Sequence, residues 1–242
     1  MVFLDFFDKN FDRPVTMAPA VVDRRFWQNT LDVALGDLAE LVAPRQVVLC
    51  EGRPATTAVD GKAEFDARCF QTIFATEYPD TSFISVGNAM EVRQDTVGLG
   101  ATIEALTSGT KVIRLIDRDD LSDQEVSDLV VEGVRALSRR HLEAYLYDNE
   151  ILGKLATAYG HPELIIDISE AKREALDIIA RDGKPDDDVK SASGRIYVAV
   201  KRILGLTQVG NSSSAFMRDT LAPLMTPETI TYKDLKRAIF DE

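Results

Sequence analysis

Only two cysteines and two histidines occur among 242 residues, and that scarcity removes several chemistries at once. Cys50 closes an apolar run and Cys69 lies in a helical pattern, so both are expected as core thiols of a reducing compartment, with neither a disulfide nor a metal pair between them. His141 and His161 compose no recognisable triad with the serine run in Gly210-Asn211-Ser212-Ser213-Ser214, which reads as a loop leading into a helix start. Apolar runs of bilayer length are missing, and Asp5, Asp8 and Lys9 stand where a secretory leader would be apolar, so a soluble, cytoplasmic chain is expected. A Gly-x-x-x-x-Gly-Lys-Ser/Thr phosphate loop is also missing. Positive charge is the last shortage: 28 lysines and arginines face 40 acids, and a net charge of -12 argues against a broad basic face that grips nucleic acid. It leaves room for a metal-dependent site, because such sites are acidic and bound cations cancel part of the formal charge. Local basic clusters at Arg139-Arg140-His141 and Lys201-Arg202 can still meet phosphates.

At 45% hydrophobic and 28% charged residues, the chain can bury one large core or two small ones. Its organising stretch is Lys111-Val112-Ile113-Arg114-Leu115-Ile116-Asp117-Arg118-Asp119-Asp120. The β-branched apolar run predicts a buried parallel strand, with Asp117 and Asp119 at its carboxyl end, where open α/β sheets place ligands. Two carboxylates one residue apart are stable at close quarters when a cation neutralises them, so this is a candidate Mg²⁺ or Mn²⁺ site. A plain turn into a helix explains the same residues, since Asp120, Ser122 and Asp123 are good caps and Glu125 suits a first turn. An EF-hand does not fit, because Ser122 stands at the loop's sixth place and Asp128 at its twelfth. Asp-x-Asp also serves phosphatases and metal-dependent glycosyltransferases, and the motif does not choose among them.

Residues 1–43 read as an approach segment, with Phe3, Phe6, Phe7 and Phe11 exposing much apolar surface and a helix over 23–41 that Pro44 ends. A strand over 46–50 leads to Glu51-Gly52-Arg53, a second acidic strand end with a glycine for the turn. A helix over 63–77 carries Asp66 in its first turn. A strand over 82–86 is closed by Gly87-Asn88. One helix over 95–108 leads to the central strand, another covers 122–134, a weak strand 134–137, and a helix 142–158. This alternation predicts a parallel sheet with right-handed crossovers, whose carboxyl edge gathers Glu51, Gly87, Asp117 and Asp119. Beyond Gly160 come a helix over 168–181, an acidic linker over 183–188 and a helix from Val189 to Leu204.

A strand ending in Glu-Gly, a second ending in glycine and a third ending in Asp-x-Asp resemble the TOPRIM domain. Val48-Leu49-Cys50-Glu51-Gly52, Phe65-Asp66, Ile84-Ser85-Val86-Gly87, Leu115-Ile116-Asp117-Arg118-Asp119 and Arg140-His141-Leu142-Glu143-Ala144-Tyr145-Leu146 look like the TOPRIM half of overcoming-lysogenization-defect (OLD) nucleases, ABC-type ATPases of phage defence and DNA processing. The resemblance covers about residues 46 to 158. It implies a Rossmann-like α/β fold with a C-terminal helical extension, divided as 1–45, 46–160 and 161–242. It further implies a two-metal Mg²⁺ or Mn²⁺ endonuclease acting on DNA. In that reading Asp117 and Asp119 are metal ligands, Glu51 is a ligand or general acid-base, Asp66 and Glu143 serve a second or outer metal position, and Lys190 faces the scissile phosphate. Relatives often carry an aspartate about three residues after the glutamate; Ala55 and Thr56 stand here, and Asp66 is taken as its substitute. For Glu143 a favourable first-turn charge, and for Lys190 a solvated helix lysine, explain the residue without any metal. The ATPase would be a further portion or separate chain, and the phenylalanine-rich opening leads us to expect a piece of a longer protein. Self-association is compatible with the pattern. Two other classes stay open: a non-catalytic module assembling with an ATPase, and a small-molecule phosphatase with Asp117 as nucleophile.

Overall fold

The computed structural model describes residues 44–54, 64–96, 98–107 and 109–241. The expected N-terminal segment and helix, with its phenylalanines, lie outside the described residues, as does the loop holding Ala55 and Thr56.

Four strands, β1 (Gln46–Glu51), β2 (Thr81–Gly87), β3 (Lys111–Ile116) and β4 (Val134–Ala136), form one sheet in the order β2-β1-β3-β4, every pair parallel. The α/β Rossmann-like architecture expected from the alternation is therefore present. Val48 in the central β1 lies opposite Phe83 and Ile113, and the buried run Val47–Cys50 has no polar side, as a strand covered on both faces requires. The connections are α1 (Phe65–Phe74), the pair α2 (Ala89–Gln94) and α3 (Leu99–Leu106), and α4 (Asp123–Val131). After β4 come α5 (Leu142–Leu146), α6 (Asn149–Ala158), α7 (Ile165–Arg181), α8 (Val189–Ile203), the short α9 (Ser213–Phe216) and α10 (Ile230–Phe240).

Two expected helices differ from those observed, and carboxylates explain both differences. The helix expected over 95–108 is α3 alone, and a further helix, α2, precedes it. Asn88 accepts from the Met90 and Glu91 amides while Glu91 reaches back to the Asn88 amide, so this capping box starts α2 early. Asp95 then turns left-handed at φ 45° and accepts from the Gly100 and Ala101 amides, closing one helix and opening the next. The helix expected over 142–158 breaks at Tyr147, because Asp148 caps α6 by accepting from the Glu150 amide at 2.8 Å. Ser122 and Glu125 form the capping box of α4, so the cap reading of that acidic loop holds beside any chemical one.

The sheet's two faces are covered unequally. Ile116, Val134 and Ala136 face a thin layer formed by Val92 of α2 and Leu129 of α4. Val48, Cys50, Phe83, Ile113 and Leu115 face a thick core that continues without interruption through α1, α5 and α6 to Ile168, Ile196, Leu235 and Ile239. Residues 161–241 thus share a core with the sheet. An aromatic cluster joins the two parts: the Phe74 ring is 5.8 Å from Phe83, 5.1 Å from Tyr232 and 5.1 Å from Phe240, and Tyr78 stacks on Phe240 at 3.9 Å. Both cysteines are buried free thiols in that core, as their sequence context predicts.

A shared core predicts shared unfolding. Leu235→Ala, at a fully buried position of α10, is expected to cost about 2–5 kcal/mol and to shift one cooperative transition seen alike by far-ultraviolet and aromatic signals in urea. Loss of α10 in a separate, earlier transition would show that the C-terminal helices fold as their own unit.

Candidate functional site

The parallel register brings the ends of β1, β2 and β3 to one edge, with Cys50 opposite both Ser85 and Leu115. Past that register, the Asp117 amide donates to Glu51 Oε1 at 2.8 Å, tying the two acidic strand ends together. The turn after Glu51 needs glycine. Gly52 sits at φ 132° and its amide donates to the Gly87 carbonyl at 2.8 Å, while a Cβ there would lie 2.7 Å from Ser85 Oγ and 3.2 Å from Asp66 Oδ2. Asp66, in the first turn of α1, therefore stands directly behind this turn.

The remaining charges arrive from the helices below β4. Glu143 of α5 is 6% exposed and Lys190, in the first turn of α8, points its Nζ to Asp117 Oδ2 at 3.1 Å. Glu51, Asp66, Glu143 and Lys190 line a cleft of about 680 Å³ with Ser193, Ser213 and Ser214, and Asp117 closes its floor beside Glu51 and Asp66. These residues come from six separate segments of the chain.

One ammonium faces several carboxylates, and the proton affinities reflect the imbalance. Burial, then the neighbouring Asp117 charge, push Glu51 up to about 7. Burial likewise lifts Glu143 to about 7, with Asp117 adding and Lys190 opposing. Asp66 is raised well above the usual carboxylate range by burial and then by Glu143 and Asp117. Asp117 is raised by burial despite Lys190, and the carboxylates push Lys190 up in turn against its own desolvation.

Asp119 stands to one side of this cleft, although its charge still raises Glu51 and Asp117. Its backbone is left-handed at φ 43° and its amide donates to the Arg140 carbonyl at 3.0 Å. Its Oδ1 lies 3.6 Å from His141 Nε2 and its side chain is 57% exposed, opening on a neighbouring cleft lined by Arg118, Arg139 and Arg140. The expected meeting of Glu51, Asp117 and Asp119 is thus met by Glu51 and Asp117 only, and the reversed backbone at the second acid of Asp-x-Asp is the reason.

Two participants escaped sequence reasoning. His141 Nε2 lies between Asp119 and Asp188, 3.8 Å from Asp188 Oδ1, while its Nδ1 is buried without a hydrogen-bond partner among the described residues. Burial lowers the His141 proton affinity although three carboxylates favour its charged form, so the ring is neutral at neutral pH. The acid run holding Asp188 reads as a solvated cap, and Asp188 does cap α8, accepting from the Ser191 amide at 2.8 Å and hydroxyl at 2.6 Å, but it is 8% exposed and not solvated. Its position two residues before Lys190 was the available signal: a cap is carried wherever its helix goes.

Among the described residues no three His, Cys, Asp or Glu groups stand close enough to enclose a metal ion. The donor chemistry nevertheless fits a hard divalent cation. The cluster is under-neutralised, all its free donors are carboxylate oxygens, and Mg²⁺ is ordinarily held by one or two carboxylates with waters and substrate phosphates instead of an all-protein cage. Glu51 and Asp117 are the pair that would hold it, with Asp66 and Glu143 behind them.

A raised carboxylate pKa makes the folded state bind protons that the unfolded chain has released. For Glu51 and Glu143 that window runs from the ordinary value of 4.5 to about 7, so metal-free stability is expected to fall as pH rises through it. Glu143→Gln should flatten the profile and raise the melting temperature at pH 8, by about 2–4 °C for each kcal/mol relieved. Mg²⁺ should restore the wild type most at high pH; a wild-type melting profile rising from pH 5 to 8 in chelator would refute this electrostatic account.

Comparison with protein-family models, with curated proteins and with solved structures finds no match to the chain, so the chemistry of the cleft rests on its own geometry.

Proposed function

We propose that the chain is a Mg²⁺- or Mn²⁺-dependent DNA endonuclease of the TOPRIM type, coupled to an ATPase in another portion or chain. One observation carries the reading: carboxylates from the ends of two parallel strands and two helices crowd one lysine at the sheet's carboxyl edge, in an open cleft. A bound divalent cation would supply Lewis acidity at the phosphodiester and a more acidic water. The chain's own groups do the rest. Glu51 Oε1 is held by the Asp117 amide, so Oε2 is free to take a proton from water, and a proton affinity near 7 suits that exchange at neutral pH. Lys190 Nζ, half exposed on the cleft wall, can donate to a phosphate oxygen as charge builds there. His141 fixes Asp119 from behind, and Asp188 fixes the start of α8.

A non-catalytic module that assembles with an ATPase is the second reading, and the Lys190–Asp117 pair favours it, since an ion pair that already neutralises Asp117 can be structural alone.

Incubation with supercoiled plasmid in Mn²⁺ or in chelator, with the ATPase supplied where it is known, tests both. Cleavage should require the cation. Asp117→Asn should lower it on the order of 10²–10³-fold and weaken the cation's thermal shift, whereas Lys190→Ala should lower it comparably while the shift is kept or enlarged, because the ammonium no longer competes for Asp117. Asp119→Ala, which removes a charge beside Glu51 and Asp117 without touching the pair that would hold the cation, should lower nicking less than Asp117→Asn does. An Asp119→Ala protein that nicks as well as wild type removes Asp119 from the reaction, and cation-independent behaviour throughout removes the nuclease reading.

A further inference from the structure

Helix α8 departs from the character of the whole chain. In a protein of net charge -12 its sequence Val189–Ile203 contains four cations and no acid. Lys190, Gly194, Val198 and Arg202 follow one another at four-residue steps along an exposed face, with Arg195 beside them. The guanidinium groups of Arg195 and Arg202, two turns apart on one side, have no hydrogen bond or ion pair among the described residues. Arg139, by contrast, is spent between Asp148 and Asp234, and Arg140 between Asp120 and Asp187. Along this face runs a shallow groove of about 400 Å³, bounded by Gly194, Arg195, Val198, Ala199 and Arg202. Its end at Gly194 is next in sequence to Ser193, which lines the cleft of Glu51, Asp66, Glu143 and Lys190.

The glycine is the second anomaly. Gly194 lies in the middle of a helix, where glycine is unfavourable, and a Cβ there would meet nothing within 4 Å. Neither packing nor backbone conformation asks for it. What it leaves is a place for another backbone to lie close against the helix between Lys190 and Val198.

We infer that the exposed face of α8 is a track for the sugar-phosphate backbone of a DNA strand, entering the cleft at Lys190 and leaving past Arg195 and Arg202. The inference rests on the nuclease reading and names how its substrate is held. The span from Lys190 to Arg202 is twelve residues, about 18 Å of helix, which is about five nucleotides at the rise of a stacked strand. The occupant follows from the charge: the groove offers unpaired guanidinium groups with an apolar wall at Val198, which is 60% exposed, and no carboxylate to repel a polyanion. It also reconciles an acidic protein with an anionic substrate, since only a local, acid-free strip has to make contact.

Binding of a fluorescein-labelled single-stranded DNA oligonucleotide by the full chain in Ca²⁺, followed by anisotropy across a salt series, tests the track. Arg195→Gln with Arg202→Gln should lower the slope of log affinity against log salt by about 1.4, so that affinities converging near 1 M salt differ on the order of 25-fold at 0.1 M. Arg173→Gln with Arg181→Gln removes the same charge from the exposed side of α7 and should leave the slope unchanged. Gly194→Leu should weaken binding with the slope nearly intact, because it blocks the groove without removing a cation. Equal losses in both double variants would reduce the effect to net charge and overturn the track. A pair of α8 substitutions that binds like wild type, in a protein that still cuts plasmid with Mn²⁺, overturns the track and leaves the nuclease reading standing. No binding by wild type, with no cutting, overturns both.

Discussion

A parallel sheet cannot leave a face to water, and most of this molecule follows from how its two faces are covered. Among the described residues the face of Ile116 and Val134 is covered by α2, α3 and α4, and Arg114 on that side spreads over the edge and donates to the Arg93 and Glu132 carbonyls. The other face presents Phe83, Ile113 and Leu115, which the crossover helix α1 alone does not cover. The C-terminal helices complete the cover, and the aromatic packing of Phe74, Tyr232 and Phe240 anchors α10 against it. Covering that face also decides where α8 begins, and so where Lys190 meets Asp117. Packing and site are therefore one arrangement: the hydrophobic demand of the sheet delivers the cation to its acidic edge.

The molecule separates its charges by purpose. Around α6 and α10 they are matched: Glu150 accepts from the Ile230 and Thr231 amides and the Thr231 hydroxyl, which hold its proton affinity below the usual range against the cost of burial. Arg139 likewise bridges Asp148 and Asp234 at 2.7 and 3.0 Å. Such groups support the fold at neutral pH and lose that support only in acid. At the sheet edge the sign reverses. Glu51, Asp66, Asp117 and Glu143 all hold protons more tightly than free carboxyls do, and each is less stable charged than it would be in water. Evenly paired surface charges need no further explanation, whereas a buried surplus of one sign in an open cleft asks for a ligand of the other sign.

The sequence shows the sheet and its acidic edge because both depend on local pattern. A β-branched run with an acid at its end is readable residue by residue, and Glu51-Gly52 and Asp117 stand where that pattern puts them. The helix boundaries were less legible, since Asp95 ends α2 through a left-handed backbone and Asp148 starts α6 as a side-chain cap, neither of which periodicity encodes. Asp119 shows the same limit at the site itself: side-by-side acids suggest a shared direction, and one left-handed residue at φ 43° turns the second carboxylate to His141. Glu143 and Asp188 were visible as favourable helix charges, but their burial depends on how α5 and α8 pack, which is tertiary information. Residues 1–43 and the loop over 55–63 are outside the described structure, so the substitution of Asp66 for an aspartate nearer Glu51 rests on its place behind Gly52 alone.

Charge balance in the cleft links cation and proton. Fully ionised, Glu51, Asp66, Asp117 and Glu143 carry four negative charges against one on Lys190. With Glu51 and Glu143 both titrating near 7, the cluster exchanges protons with solvent under neutral conditions. A divalent cation entering beside Glu51 and Asp117 must displace part of that proton population, and must also compete with Lys190 for Asp117 Oδ2. The proton competition favours tight cation binding at higher pH and weak binding below the window, while Lys190 stays charged throughout and competes alike on both sides of it. Binding is favoured more when a phosphate arrives to take up the displaced ammonium, because Lys190 then exchanges one anionic partner for another instead of being left buried among carboxylates without one. In the proposed nuclease such a cleft would be completed by its substrate: a phosphodiester would supply another partner for the lysine, and the lysine's departure would free the carboxylate that a cation needs.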